Sequence, residues 1–130
     1  MYKTNIKGKS SEVLFELMCV NMGFHCCKPI FDFMRYDYIT DFGEGFKKVQ
    51  IKSFYLDEKI GEYRCDLRRN NKKRGSKVRY LDGDFDILAA CVSPNKWLVI
   101  PWDSIKEKTE IRLSDRRVHD GTAKLITFQI

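Results

Sequence analysis

The strongest constraint on the fold comes from two nearly unbroken apolar runs, FDILAACV at residues 85–92 and KWLVIP at 96–101, separated only by Ser93-Pro94-Asn95. Apolar residues at almost every position, rather than at every second one, predict strands covered on both faces, and the Ser-Pro-Asn break predicts a turn between them. Such a pair belongs in the middle of a sheet. The chain has 130 residues, enough for a single domain spanning 1–130. A domain of this length buries roughly two-thirds of its unfolded surface without help from disulfides or structural metal.

The elements before this pair set the fold class. Residues 8–23, GKSSEVLFELMCVNMG, read as one helix with Ser10 as N-cap, Glu12 in the first turn and Gly23 as the stop. Its wheel puts Val13, Leu14, Leu17 and Met18 on one face, with Phe15, Cys19 and Met22 extending the apolar surface, and leaves Glu12 and Glu16 in the polar sector. Strand-like runs follow: PIFDF, RYDYITDF and FKKVQIKSFYL, the last two joined by Gly43-Glu44-Gly45, and then KIGEYRCDL. The tail adds EIRL and AKLITFQI around the polar SDRRVHDGT. Helix, hairpins and a central apolar pair make an α/β (α+β) order, with a mixed central sheet flanked by helices.

Charge is concentrated. The net formal charge is +6, yet residues 64–79 alone carry +7, with eight basic residues and one acid, which leaves the rest of the chain at −1. A block of this kind is either a solvated loop or a surface for a polyanion, nucleic acid first and an anionic membrane second. Asn70, Asn71 and Gly75 within it read as loop residues. No aromatic residues interleave the block, which argues against a stacking platform for single strands.

The five cysteines, Cys19, Cys26, Cys27, Cys65 and Cys91, include no CxxC pair, and the two histidines, His25 and His119, lie far apart, so reduced structural thiols are expected rather than a zinc site. No run approaches the roughly 20 apolar residues of a membrane span, and MYKTNIKGKS lacks a secretory apolar core. A soluble, intracellular (cytoplasmic) protein without membrane attachment is the expectation.

One constellation carries chemistry. Asp37 falls in one strand of the Gly43-Glu44-Gly45 hairpin and Gln50-Ile51-Lys52 in the other, an Asp, twelve residues, then QxK. Alternation puts Gln50 and Lys52 on one face and Val49, Ile51 and Ser53 on the other. Asp37 can ligate a hard divalent cation, Ile51 can add its backbone carbonyl, and Lys52 can orient an attacking water or steady a pentacovalent phosphorus transition state. The spacing alone is common, and by itself it favours a structural edge-strand Asp paired with a Lys over a catalytic one. Asp84 and Asp86, beside Phe85, read as turn and strand-entry caps.

With the helix KGKSSEVLFELMCVNMGF, the hairpin RYDYITDFGEGFKKVQIKSFY, DFDILAACV and KWLVIP taken together, the chain resembles the PD-(D/E)XK nucleases over most of its length. Within that superfamily it is most similar to the group I intron-encoded homing endonucleases. The archaeal Holliday-junction resolvases share the helix glutamate and the hairpin. The resemblance implies a Mg²⁺-dependent, site-specific double-stranded DNA endonuclease, with Mn²⁺ able to substitute. Asp37, Glu12 and the Ile51 carbonyl would be the metal ligands, and Glu12, Asp37, Gln50 and Lys52 the catalytic set. The departure is Gln50, which stands where the family has an acid; Glu12 would supply the second charge and Gln50 would orient.

On this reading Arg64, Arg68, Arg69, Lys72, Lys73, Arg74, Lys77 and Arg79, in the segment 64–80, contact DNA. They neutralise phosphates or, if the segment forms a β-ribbon, read base edges. Because one unit holds one site and a duplex has two strands, a homo-oligomer, dimer or tetramer, is expected. The alternatives are a junction resolvase and a catalytically silent DNA-binding module, the latter suggested by Gln50.

Overall fold

The computed structural model describes residues 2–31, 33–71 and 75–129, with side chains from residue 8 onward. Helix α1 spans Tyr2–Met22 and therefore starts well before the expected cap, leaving Ser10 in its interior. A cap residue lowers the cost of a helix start by about 1 kcal/mol but does not impose one, and no proline interrupts the preceding turns. The other end is as expected. Gly23 takes φ 75°, and the Phe24 N–H donates to the Cys19 carbonyl at 2.9 Å, a six-residue closure available at low cost to glycine.

After α1 come β1 (His25–Cys27), β2 (Tyr38–Asp41), β3 (Phe46–Ser53), β4 (Tyr55–Asp57), β5 (Glu62–Asp66), β6 (Arg68–Asn71), β7 (Ser76–Arg79), β8 (Ile87–Ser93) and β9 (Lys96–Pro101). A single 3-10 turn at Trp102–Ser104, β10 (Glu110–Ser114), the short helix α2 (Asp115–Asp120) and β11 (Ile126–Thr127) complete the chain. The main sheet has six strands in the order β1-β2-β3-β8-β9-β11. It is mixed: β3 runs parallel to β8, with Val49 opposite Ile87 and Ser53 opposite Cys91, and the other neighbours are antiparallel.

The apolar pair β8–β9 is central, and its composition follows from its two coverings. Ala89, Cys91 and Trp97 face α1, whose Phe15, Met18 and Cys19 pack there with Tyr38, Val49 and Ile51. The alternate residues Leu88, Ala90 and Leu98 pack on a second cluster with Phe54, Cys65, Leu67, Tyr80, Phe85 and Leu113. That cluster lies beneath a three-stranded sheet, β10-β5-β4. The helix's buried stripe is Ser11, Phe15, Met18 and Cys19. Val13, expected inside, is 58% exposed. The stripe is turned this way by polar contacts at its edges, Ser11 Oγ to Ser53 Oγ at 2.5 Å and the Tyr38 hydroxyl donating to Glu16.

Other expectations shift. PIFDF forms no strand among its described residues, because His25–Cys27 takes the place beside β2; Ile30, Phe31 and Phe33 are exposed, and Asp32 lies outside the described residues. The run FKKVQIKSFYL divides at the buried Phe54, whose N–H donates to the Cys91 carbonyl at 2.8 Å, and β4 beyond it joins the other sheet. SDRRVHDGT contains α2, capped by Ser114, whose side chain accepts from the Arg117 N–H, and stopped at Gly121. No helix among the described residues is long and apolar enough to cross a membrane.

Candidate active site

Strand β2 begins at Tyr38, opposite Val49, and leaves the last four residues of β3 without a partner on that side; the site is built on that shortfall. The last pair is Tyr38 with Val49, extended by the Asp37 N–H donating to the Val49 carbonyl at 2.8 Å. Beyond it the chain leaves the sheet, so the Ile51 N–H faces a missing neighbour. The Asp37 carboxylate replaces that neighbour, its Oδ2 accepting the Ile51 N–H at 2.8 Å and the Gln50 Nε2–H at 2.9 Å. Gln50 Nε2 also donates to the Ile51 carbonyl at 3.1 Å. One amide nitrogen thus bridges two oxygens that point at a common place.

These groups line a cleft of about 540 Å³ together with Glu12, Lys52, Ser53, Tyr55, Asp66, Arg68, Asn70 and Lys77. All four expected catalytic residues are therefore brought together. Glu12 reaches the cleft from α1, half-buried, with Lys9 at 3.9 Å and Lys28 at 4.0 Å. Lys52 lies on the same face of β3 as Gln50, as alternation requires; its Nζ donates to the Arg68 carbonyl at 2.9 Å and stands 5.2 Å from the centre of the Tyr80 ring.

The electrostatics follow from the burial of this corner. Burial raises the Asp37 carboxyl above its usual value; the Ile51 N–H opposes the rise, Glu12 adds to it, and Lys52 and Lys28 oppose it. Burial lowers the Lys52 amine, and the nearby Cys65, Asp66 and Asp37 hold against it. A desolvated carboxylate beside a second carboxylate is an arrangement that a divalent cation relieves. The donor set fits such an ion. Asp37 Oδ2 and the Ile51 carbonyl oxygen are hard oxygen ligands already converging on one N–H₂ group, and rotation of the Gln50 amide would offer Oε1 in its place.

The basic segment is not the loop expected from its asparagines and glycine. Strands β6 and β7 form a two-stranded hairpin, with Arg68 opposite Arg79 and Asn70 opposite Lys77. Directly paired residues share a face, and this face, with Arg68, Asn70 and Lys77, looks into the cleft. At the turn, Gly75 adopts φ 63° and its N–H donates to the Asn71 carbonyl. Lys72, Lys73 and Arg74 lie outside the described residues. Arg69 is on the opposite face beside Val78, and Arg79 donates to the Lys106 carbonyl. Arg64 stands apart: it belongs to β5, where Glu110 at 2.9 Å and Asp57 at 3.8 Å hold its guanidinium within the smaller sheet.

The reading from residue types did not single out Asp66, which anchors the hairpin. It accepts from Arg68 Nε at 3.1 Å and Lys77 Nζ at 2.5 Å. Burial works to raise its carboxyl, but hydrogen bonds from Arg68 and Lys77 outweigh it and hold the group well below the usual carboxylate range. Its position as the only acid in a strongly basic window was the available signal. Asp84 and Asp86 are structural as expected, Asp84 accepting the Leu81 N–H and Asp86 the Lys48 N–H, both at 2.9 Å.

Residues 2–127 match the family model of the PD-(D/E)XK endonucleases. Among curated proteins, Protein 5.3 of Escherichia phage T7 is 27% identical over 116 residues, covering 89% of this chain and 95% of that protein. Among solved structures, the bacterial homing endonuclease I-Ssp6803I aligns with a TM-score of 0.74 at 30% identity, covering 93% of this chain and 86% of the other.

Proposed function

The chain belongs to the PD-(D/E)XK endonuclease family, and from that premise we propose that it is a Mg²⁺-dependent endonuclease cutting duplex DNA at a specific site, in the manner of a homing enzyme. One observation carries this reading. Asp37, Gln50 and the Ile51 carbonyl converge where β3 outruns β2, with Lys52 next along the same strand.

Asp37 and the Ile51 carbonyl would hold the ion, with Glu12 completing the set directly or through water, and Mn²⁺ would occupy the same hard oxygen donors. When bound there, a divalent ion would supply Lewis acidity toward the phosphate and a lowered pKa for an attacking water. Gln50 orients these groups without adding charge. Lys52 steadies the negative charge that develops on the phosphate oxygens. Arg68, Lys77 and Arg79 bind phosphates along the hairpin, and a two-stranded ribbon is an element that enters a major groove, where Arg68 and Asn70 can reach base edges. One such cleft per chain acts on one strand, so a homo-oligomer of two or four copies would cut both.

The test is incubation of a large, sequence-diverse duplex and a synthetic four-way junction, each with Mg²⁺ or EDTA, with the wild type and Asp37→Ala. Discrete, metal-dependent duplex fragments that vanish in the variant are expected. Cleavage of the junction alone would replace this reading with that of a resolvase. Salt-sensitive binding to a duplex pool without cleavage of either DNA would replace it with a silent binding module.

A further inference from the structure

Lys52 has an unusual set of partners for a partly buried lysine. Its Nζ makes no ion pair within 4.0 Å among the described residues; it rests between the Arg68 carbonyl, at 2.9 Å, and the face of the Tyr80 ring, 5.2 Å from its centre. Both partners come from the base of the β6–β7 hairpin. Arg68 opens β6 and sits directly opposite Arg79, the last residue of β7, and Tyr80 follows. Resting on the proposed endonuclease reading, we propose that the hairpin base is the device that places Lys52 for catalysis, with Tyr80 as its positioning residue.

The chemistry of the cradle supports this role. A carboxylate partner would fix the ammonium but cancel its charge, whereas a carbonyl and an aromatic face hold it through dipole and quadrupole and leave its full charge for a phosphate. The ring is itself fixed. Tyr80 is 8% exposed and packs edge-on against Phe85 at 5.1 Å, which packs edge-on against Trp102 at 5.1 Å. The carbonyl is fixed through Asp66, which ties Arg68 and Lys77 to the end of β5. The segment that grips DNA and the segment that sets the lysine are thereby one piece, and displacement of the hairpin moves both.

The experiment combines cleavage with NMR. A methylene held over an aromatic face is shifted upfield by the ring current, so the Lys52 ε-CH₂ resonances should lie upfield in the wild type and in Tyr80→Phe, and return to ordinary values in Tyr80→Leu. In single-turnover cleavage at saturating DNA and Mg²⁺, Tyr80→Phe should stay within about twofold of wild type. Tyr80→Leu should lose about 3- to 30-fold, the span of an exposed to a desolvated cation–π contact, with DNA affinity unchanged. In a Lys52→Ala background, Tyr80→Leu should cause no further loss, which a purely structural role does not predict. Ordinary Lys52 shifts in the wild type overturn the proposal even if Tyr80→Leu does not fold. Full activity of a folded Tyr80→Leu beside an impaired Lys52→Ala overturns the positioning role alone. Full activity of Lys52→Ala removes the lysine from the chemistry and overturns both that part of the proposed mechanism and this inference.

Discussion

The amide of Gln50 donates to Asp37 Oδ2 across 2.9 Å, in the place where this family carries an acid. A carboxylate at position 50 would face Asp37 with like charge unless a cation lay between them. The amide instead makes the pair self-satisfied without metal. Such a site offers one unit of negative charge fewer than a carboxylate pair would to the cation proposed to bind there.

Gln50→Glu should therefore separate these effects. In EDTA the variant should melt about 3–5 °C below wild type, corresponding to about 1 kcal/mol. With Mg²⁺ the gap should narrow, and the Mg²⁺ concentration for half-maximal cleavage should fall. Thermal melts at graded Mg²⁺, beside a cleavage titration, check both; a variant that melts like wild type in EDTA and needs the same Mg²⁺ contradicts the account.

Asp37→Ala and Lys52→Ala should each reduce cleavage by roughly 10²–10³-fold while DNA binding in Ca²⁺ stays within a fewfold of wild type. Neither side chain is among the hairpin groups proposed to hold phosphates, and the contact that Lys52 makes there is to the Arg68 backbone carbonyl, which the substitution leaves in place. Filter binding and single-turnover assays on one DNA suffice, and equal losses in binding and cleavage would assign these residues to the DNA surface instead.

Arg64 and Lys77 should behave differently although both lie in the basic window. Lys77→Ala removes an exposed ammonium from the cleft face of the hairpin, so the slope of log K against log salt should fall by about 0.9. Arg64→Ala breaks contacts with Glu110 and Asp57 inside the smaller sheet, so it should lower the melting temperature and leave the salt slope unchanged. Binding at three salt concentrations and one melt decide the matter.

Asp66 gives a pH dependence with a definite sign. Its folded carboxyl is held below the ordinary value by Arg68 and Lys77, so its stabilising contribution is complete above the usual aspartate pKa of about 3.9 and is lost as pH falls toward the lower folded value. The melting temperature of wild type should exceed that of Asp66→Asn by a constant margin from pH 7 to about pH 5, and the margin should shrink as pH falls below about 4. A margin that grows on acidification would contradict the assignment.

Local patterns in the chain were reliable where the cause was local. The unbroken apolar runs became β8 and β9, Gly23 ended α1, Gly43 and Gly45 turned the β2–β3 hairpin, and alternation put Gln50 and Lys52 on one face. Each depends on a few adjacent residues. The failures have longer-range causes. Ser10 has the chemistry of a cap, but a helix already running through it needs none. The asparagines and glycine at 70, 71 and 75 mark a turn, yet the strands on either side became visible only when Arg68 and Arg79 paired.

Written in the chain were two strands covered on both faces, an Asp37 facing the Gln50–Lys52 stretch across a hairpin, and positive charge gathered in one segment. Tertiary structure decided that β2 stops short of β3's end, that Glu12 turns into the cleft, that Arg64 is held by Glu110, and that the hairpin base closes on Lys52. Periodicity and turn chemistry act over a few residues and are written in the chain. Which strand outruns its neighbour, and which side chain fills the space left, depends on packing among segments tens of residues apart.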